Sequence, residues 1–219
     1  MKITVLCTDP NHPVVPHLRR WQSALAAGGG HTVEIVHDKK EAAGGDILFL
    51  VSCSQLVGDA ERRRYRAILV LHASDLPKGR GWSPYIWSIV NGESEITVCL
   101  LDASDPVDSG DVWLRKKFTL EGHEVLAEIN SRLFATELEL MTQAIEQFDH
   151  ITPVPQAGHP GAPLPKRTPE HSRLDPHKTI AEQFDVLRVA DPVRYPAFMD
   201  FRGNRYLLRI EKAEGDEPH

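Results

Sequence analysis

The sequence predicts an α/β fold, a doubly wound and mostly parallel sheet with a small C-terminal helix-plus-hairpin extension. Three observations predict it. Short Val/Ile/Leu runs recur through the first half of the chain, "KITVLC", "HTVEIVHD", "DILFLVSC", "AILVLH" and "EITVCLLDA". They are apolar nearly throughout, as strands buried on both faces are, and do not alternate. Helical stretches stand between several of them, the arrangement that crossovers between parallel strands require. A proline-rich stretch, "ITPVPQAGHPGAPLPKRTP", then separates this part from a shorter segment with its own periodicity.

"KITVLC" is the first strand. "PVVPHLRRWQSALAAGGG" is a helix with Val14, Leu18, Trp21 and Leu25 on one face and glycines ending it. The four remaining runs are the second to fifth strands. "SPYIWSIVNG" is a short helix closed by an Asn-Gly turn, and "VWLRKKFTL" is a further strand or sheet edge. "EGHEVLAEINSRLFATELELMTQAIEQF" is a long amphipathic helix whose apolar side is Val125, Ile129, Leu133, Leu138, Met141 and Ile145. Residues 1–150 form the main domain and 151–169 a linker or ordered surface loop. Residues 170–213 form the C-terminal element, and "EGDEPH" at 214–219 is a disordered end. In that element "LDPHKTIAEQFDVLRVA" is a helix, with Asp175 as its cap and Pro176 at its first position. "PAFMDFRGNRYLLRIEKA" is a hairpin turned at Arg202-Gly203-Asn204.

Composition narrows the function. The chain has 219 residues, 41% hydrophobic, enough for one sizeable core and an appendage. The formal charge of −6 gives no general basic footprint for nucleic acid, and "ERRRYR" and "LRKK" are solvated faces. No apolar run approaches the ~20 residues of a membrane span, and "MKITVLCTDP" is a buried strand, not a signal peptide. Cys7, Cys53 and Cys99 are odd in number and widely spaced, which points to a reducing, cytoplasmic setting. No cysteine pair has metal-ligand spacing and the eleven histidines are scattered, so no metal site is expected.

Chemistry concentrates after the fourth strand. His72 stands where "AILVLH" ends, and Asp108 follows the fifth strand in a tight "VDSG" turn. In open α/β sheets ligands bind outside the carboxyl ends of the strands. If the two strands are near neighbours, imidazole and carboxylate meet there, and such a pair is competent for proton transfer. The prolines and glycines of "HASDLPKGRGWSP" fix an irregular loop beside the pair.

"HASDLPKGRGWSPYIWSIVNGE" resembles the long signature of the folate-dependent formyltransferases, and "VDSGDVW" resembles their second signature at the expected distance. The resemblance is good over residues 45–150 and looser over the first strand and helix. The "LPKGRGWSP" wording and the C-terminal element are most similar to short sugar N-formyltransferases of the pseudaminic-acid type. The resemblance implies a formyltransferase-like Rossmann core. It also implies transfer of a formyl group from 10-formyltetrahydrofolate, the co-substrate, to a primary amine. The acceptor would be an amino sugar or sugar nucleotide, of nonulosonate type or a related glycan precursor. His72 matches the family's proton-handling histidine and Asp108 the aspartate that holds it. Ser54, Gln55 and Leu56 match a segment that meets the pterin, and the loop with Asp105 and Val107 matches the one closing over it. Asn11, His12, Trp82 and Arg167 are candidates for the acceptor. The partners implied are small molecules, with no nucleic acid and no membrane, and a homodimer is allowed.

One position departs from the pattern. The family carries an Asn two residues before the His, and here that residue is Val70. An oxyanion donor is typically worth about 3 kcal/mol. The expectation is that Val70 only packs and that charged His72 meets the oxyanion, while Asn91 serves its turn. The missing Asn keeps a formyl-folate hydrolase of the same fold as an alternative. Methionyl-tRNA formyltransferase is another, although the segment after Pro165 holds ten Lys/Arg against ten Asp/Glu and so lacks a basic track for tRNA. Glycinamide ribonucleotide formyltransferase ranks lower, because "TDPNHP" replaces a glycine-rich phosphate loop.

Overall fold

A computed structural model of the chain describes residues 1–213. The expected tail at 214–219 lies outside the described residues. Four parallel strands form first: β1 (Lys2–Leu6), β2 (Thr32–Val36), β3 (Gly45–Leu50) and β4 (Tyr65–His72). β5 (Glu95–Asp102) and β6 (Val112–Thr119) complete a six-stranded sheet of order β2-β1-β3-β4-β5-β6. β5 runs antiparallel to β4, and β6 antiparallel to β5 at the edge. The five apolar runs therefore mark β1 to β5, "VWLRKKFTL" supplies the edge strand β6, and the sheet is parallel only up to β4.

Helices α1 (Val15–Ala27) and α4 (Leu126–Glu146) cover one face. That face holds the largest core, with Ile3, Val5, Ile47, Phe49, Leu69, Leu71, Leu133 and Met141 buried together. The opposite face is covered by irregular chain and the one-turn helix α2 (Asp59–Arg62), over Leu6, Leu48, Leu50, Val57 and Ile68. Helix α3 (Pro84–Val90) packs Ile86 and Ile89 against Ile96, Ile129 and Val189. Asn91 and Gly92 close it in the expected turn, Asn91 exposed and its N–H donating to the Trp87 carbonyl.

The proline-rich stretch is ordered. Val154 exchanges backbone hydrogen bonds with Val112 (2.8 and 2.9 Å), and Leu164 does the same with Arg80 and Trp82 (2.7 and 3.1 Å). It is a strap lying across the main domain, not a free linker. Its close approach explains Gly81, where a Cβ would stand 2.4 Å from the Leu164 carbonyl oxygen.

In the C-terminal element the expected helix from Pro176 does not form. Asp175 instead closes a local turn, accepting from the His177 N–H. The helix proper is α5 (Phe184–Arg188), preceded by a 3-10 turn over Ala181–Gln183. Thr179 and Glu182 bond reciprocally at this entry, the Thr179 N–H to Glu182 and the Glu182 N–H to Thr179 Oγ1. Strands β7 (Ala197–Phe201) and β8 (Asn204–Leu208) form the expected hairpin. Its turn residues Arg202 and Gly203 both have positive φ, the tight turn that matches strand twist.

Candidate active site

Side chains alternate along β4, which puts Val70 and His72 on the face away from α4 and Leu69 and Leu71 on the face toward it. A cavity of about 1070 Å³ opens beyond the carboxyl ends of the parallel strands and reaches both faces. The walls differ in kind. One is loop: Ser52–Val57 after β3 and 102–108 after β5. The other is helix α4, through Asn130, Leu133, Phe134 and Glu137, joined by Asp191, Arg194 and Tyr195.

His72 is 7% exposed and both its ring nitrogens face acceptors. Nε2 lies 2.9 Å from the Gly79 carbonyl oxygen, so it carries a proton. Nδ1 lies 3.5 Å from Asp108 Oδ1. The other oxygen of Asp108 accepts from the Gly81 N–H at 3.0 Å. The sequence motif thus builds its own clamp, with Gly79 and Gly81 supplying backbone groups to the ring and to its carboxylate partner. Asp108 is held in the left-handed region (φ 59), a conformation Asp tolerates at a cost of about 1 kcal/mol. The strap braces it: Gln156 Nε2 donates to the carbonyls of Asp108 and Gly110, both at 2.9 Å.

The two strands meet as neighbours, but not by ending side by side. β5 runs against β4, so Asp102 lies opposite Leu69 and Cys99 opposite His72. The loop after Asp102 folds back toward His72 to bring Asp108 within reach. Gly110 permits that fold, since a Cβ there would fall 2.0 Å from the Asp102 carbonyl oxygen.

Val70 is half-buried and lines the cavity, packed against two buried clusters, one holding Leu48, Leu50 and Ile68 and the other Leu76 and Leu101. It contributes wall and no hydrogen bond. The thiols nearby are poor nucleophiles, because burial pushes Cys7 up to about 11 and raises Cys53.

Of the residues predicted from sequence, Ser54, Gln55, Leu56, Asp105 and Val107 line the loop wall together. Gln55 ties the wall to the end of β2, accepting from the Lys39 N–H at 2.8 Å. Arg62 bonds Asp105 at 3.1 Å across it. His12, Trp82 and Arg167 also line the cavity. Trp82 is 48% exposed, with the Lys166 ammonium 4.9 Å over its ring. Arg167 is buried, donates to Ser172 Oγ at 3.0 Å and lies over Tyr195. Burial, followed by the positive charge of Arg194, pulls the His12 ring down to about 4. Asn11 is not brought in. It is exposed, its N–H donates to Asp9 Oδ1, and Asp9 lines the cavity in its place.

Sequence reasoning missed the helix wall. Tyr85 donates to Asn130 Oδ1 at 3.0 Å. Glu137 is 7% exposed, its Oε2 has no hydrogen-bond partner, and burial pushes its carboxyl up to about 8. A signal was present: Glu137 follows Leu133 by four and precedes Met141 by four, which sets an acid inside the apolar stripe of α4. Among the described residues no three His, Cys, Asp or Glu come together as a metal site, and no helix is long and apolar enough to cross a membrane.

Residues 11–145 match the formyl transferase family. The methionyl-tRNA formyltransferase of Rickettsia massiliae is 27% identical over 171 residues, 77% of this chain and 55% of that protein. The chain thus spans about half the length of the curated relatives it matches. Among solved structures, HypX of Aquifex aeolicus in complex with tetrahydrofolic acid has a TM-score of 0.79 at 23% identity, over 96% of this chain and 37% of that one. A 4-N formyltransferase of Francisella tularensis has 0.73 at 17% identity, over 97% of this chain and 98% of that one. Neither likeness at such identity speaks beyond the fold. The family match covers more than half of the sequence and includes both His72 and Asp108, and the chain belongs to the formyl transferase family.

Proposed function

We propose that the protein transfers a formyl group from a 10-formyl reduced folate to a primary amine on an amino sugar or sugar nucleotide. The observation that carries this is His72, clamped between the Gly79 carbonyl and Asp108 on the wall of a cavity of about 1070 Å³. Ligand pockets typically enclose roughly 300–1,000 Å³, so this one stands at the large end of that range. The folate meets the loop wall, with Ser54, Gln55, Leu56, Asp105 and Val107, and the acceptor meets the helix wall. His12, Trp82 and Arg167 serve the acceptor.

In the reaction the amine nitrogen bonds to the formyl carbon and the bond from that carbon to folate N10 breaks. The amine gives up a proton and N10 gains one. His72 is the proton-handling group on this wall: its Nε2 hands on a proton when it leaves the Gly79 carbonyl, and Asp108 fixes the ring from the Nδ1 side. The imidazolium supplies the positive charge for the oxyanion on a wall where Val70 offers none.

A second reading has support in the sequence match: methionyl-tRNA as the acceptor, as the name of the Rickettsia relative describes. One experiment separates them. The protein is incubated with 10-formyltetrahydrofolate and a panel of nucleotide-linked amino sugars, or with initiator methionyl-tRNA, and product masses are read. A formylated amino sugar is expected. Formyl-methionyl-tRNA alone would replace this reading with the second, and formate alone would replace both with hydrolysis.

A further inference from the structure

Among the described residues four side chains leave a buried polar atom without a hydrogen-bond partner, and Glu137 is the one carboxyl among them. It stands on the buried face of α4, among Leu133, Phe134 and Met141, and still lines the cavity. Its Oε2 is closed off from solvent and accepts no hydrogen bond. No Lys, Arg or His contributes to its ionisation, which burial alone controls. The titratable groups that sense it are Tyr85 at the start of α3 and Cys7 at the end of β1. The Tyr85 hydroxyl is committed to Asn130, and the Cys7 thiol to the Asp9 carbonyl at 3.6 Å. Neither pairs with the carboxyl. A buried acid without a partner lowers stability, and such a group calls for an explanation from function.

We infer that Glu137 is the acceptor-side residue that receives the amino group of the substrate, completing its hydrogen bonding only when the acceptor is bound. The inference rests on the amine-acceptor reading above and adds the group that recognises the amine. An ammonium has three donors and no acceptor, and an ionised carboxylate has acceptors only, so the two complement each other. The dry wall strengthens the contact relative to water. It also suits the chemistry. An ammonium has no lone pair and cannot attack the formyl carbon. Burial favours the neutral form of this acid, so within the pair a proton passes from the ammonium to Glu137 and the free base is populated. The N–H bond broken on the ammonium becomes an O–H bond on Glu137, and the freed lone pair forms the new C–N bond. The row Asn130, Phe134, Glu137 on one face of α4, with the Tyr85 hydroxyl beside Asn130, leaves an apolar step between two polar points. That pattern fits a molecule carrying one amine and neighbouring hydroxyls.

The test compares wild type, Glu137→Gln and Glu137→Leu. Formyl transfer from 10-formyltetrahydrofolate is measured against nucleotide-linked amino sugars, with the affinity for 5-formyltetrahydrofolate and the Tm in parallel. Both variants should fold and melt a few degrees higher than wild type, because an unpartnered acid is gone. Folate affinity should be unchanged. For the amine acceptor KM should rise about tenfold or more and kcat should fall, with Leu worse than Gln. Variants that transfer with wild-type kcat and KM would overturn the role of Glu137 and leave the formyl-transfer reading standing. So would variants that melt lower and lose folate and acceptor affinity together, since that marks a packing residue. A wild type that formylates no amine overturns the underlying reading and this role with it, a result visible before any variant is made.

Discussion

Asp108 and Glu137 are carboxyl groups in the wall of one cavity, both nearly closed off from solvent, and the fold treats them in opposite ways. Asp108 has an imidazole on one oxygen and a backbone N–H on the other, and Gln156 braces its main chain. Glu137 has no hydrogen-bond partner for its buried oxygen, and its carboxyl is raised to about 8. The difference separates a group fixed before any ligand arrives from one whose partner is the ligand. Orientation of a catalytic base demands the first, and recognition of an amine demands the second.

The largest effect belongs to Asp108. Asp108→Asn keeps an amide oxygen for the Gly81 N–H but removes the charge beside His72, so turnover should fall about a hundredfold. The Tm should move by only a few degrees, as a loss of about 1 kcal/mol gives in a chain of this size. Steady-state rates and a melting curve on the same preparation check it. Unfolding of the variant with normal activity per folded molecule would make Asp108 a structural residue and break the comparison.

Glu137 predicts a stability difference that depends on pH. The folded state keeps a proton on Glu137 up to about 8, and the unfolded chain releases it above the ordinary value of 4.5. Between those limits the native state binds more protons, so stability falls as pH rises. Glu137→Gln removes that slope. The variant should match wild type near pH 4.5 and exceed it increasingly toward pH 8, by on the order of a few kcal/mol. Burial holds both Cys7 and Tyr85 above this window, so neither adds a slope of its own. His12 adds the opposite slope in both proteins, because burial holds its ring at about 4 and neutral where the unfolded ring is charged. It cancels in the difference. Denaturant melts at three pH values decide the matter, and parallel curves would show Glu137 to be ionised at ordinary pH.

The smallest effect belongs to Val70. It lines the cavity and makes no hydrogen bond, so Val70→Ala should change turnover per folded molecule by less than about tenfold, well under the usual worth of an oxyanion donor. Formyl-transfer rates corrected for the folded fraction measure it. A larger loss would mean that the packing of Val70 on the cluster it shares with Cys53 and Ala103 holds the loop wall in place.

What was legible in the sequence follows the same division. Continuous apolar runs give the strands, and the signature residues give the His72 clamp, because both signals are local. The direction of β5 is not local. Residues 96–101 are all buried, and a strand buried on both faces reads alike in either direction. The helix start at Pro176 does not hold because Asp-Pro and the Thr179–Glu182 capping box compete as starts, and the box prevails with Gln183 taking up the backbone of Asp175, Lys178 and Thr179. Glu137 is not legible from the α4 stripe, because apolar residues define that stripe and an acid within it stands out only when burial is known.

The reversal of β5 turns the loop after it into a ruler. Since Asp102 sits level with Leu69, the chain must travel back to the level of His72 before Asp108. The number of residues in between sets how far the carboxylate stands from the ring. One residue of extended chain is about 3.3–3.6 Å, far more than the tolerance of a hydrogen bond. Length is therefore the quantity this loop must hold: one residue more or fewer would carry the Asp108 carboxylate out of reach of the ring.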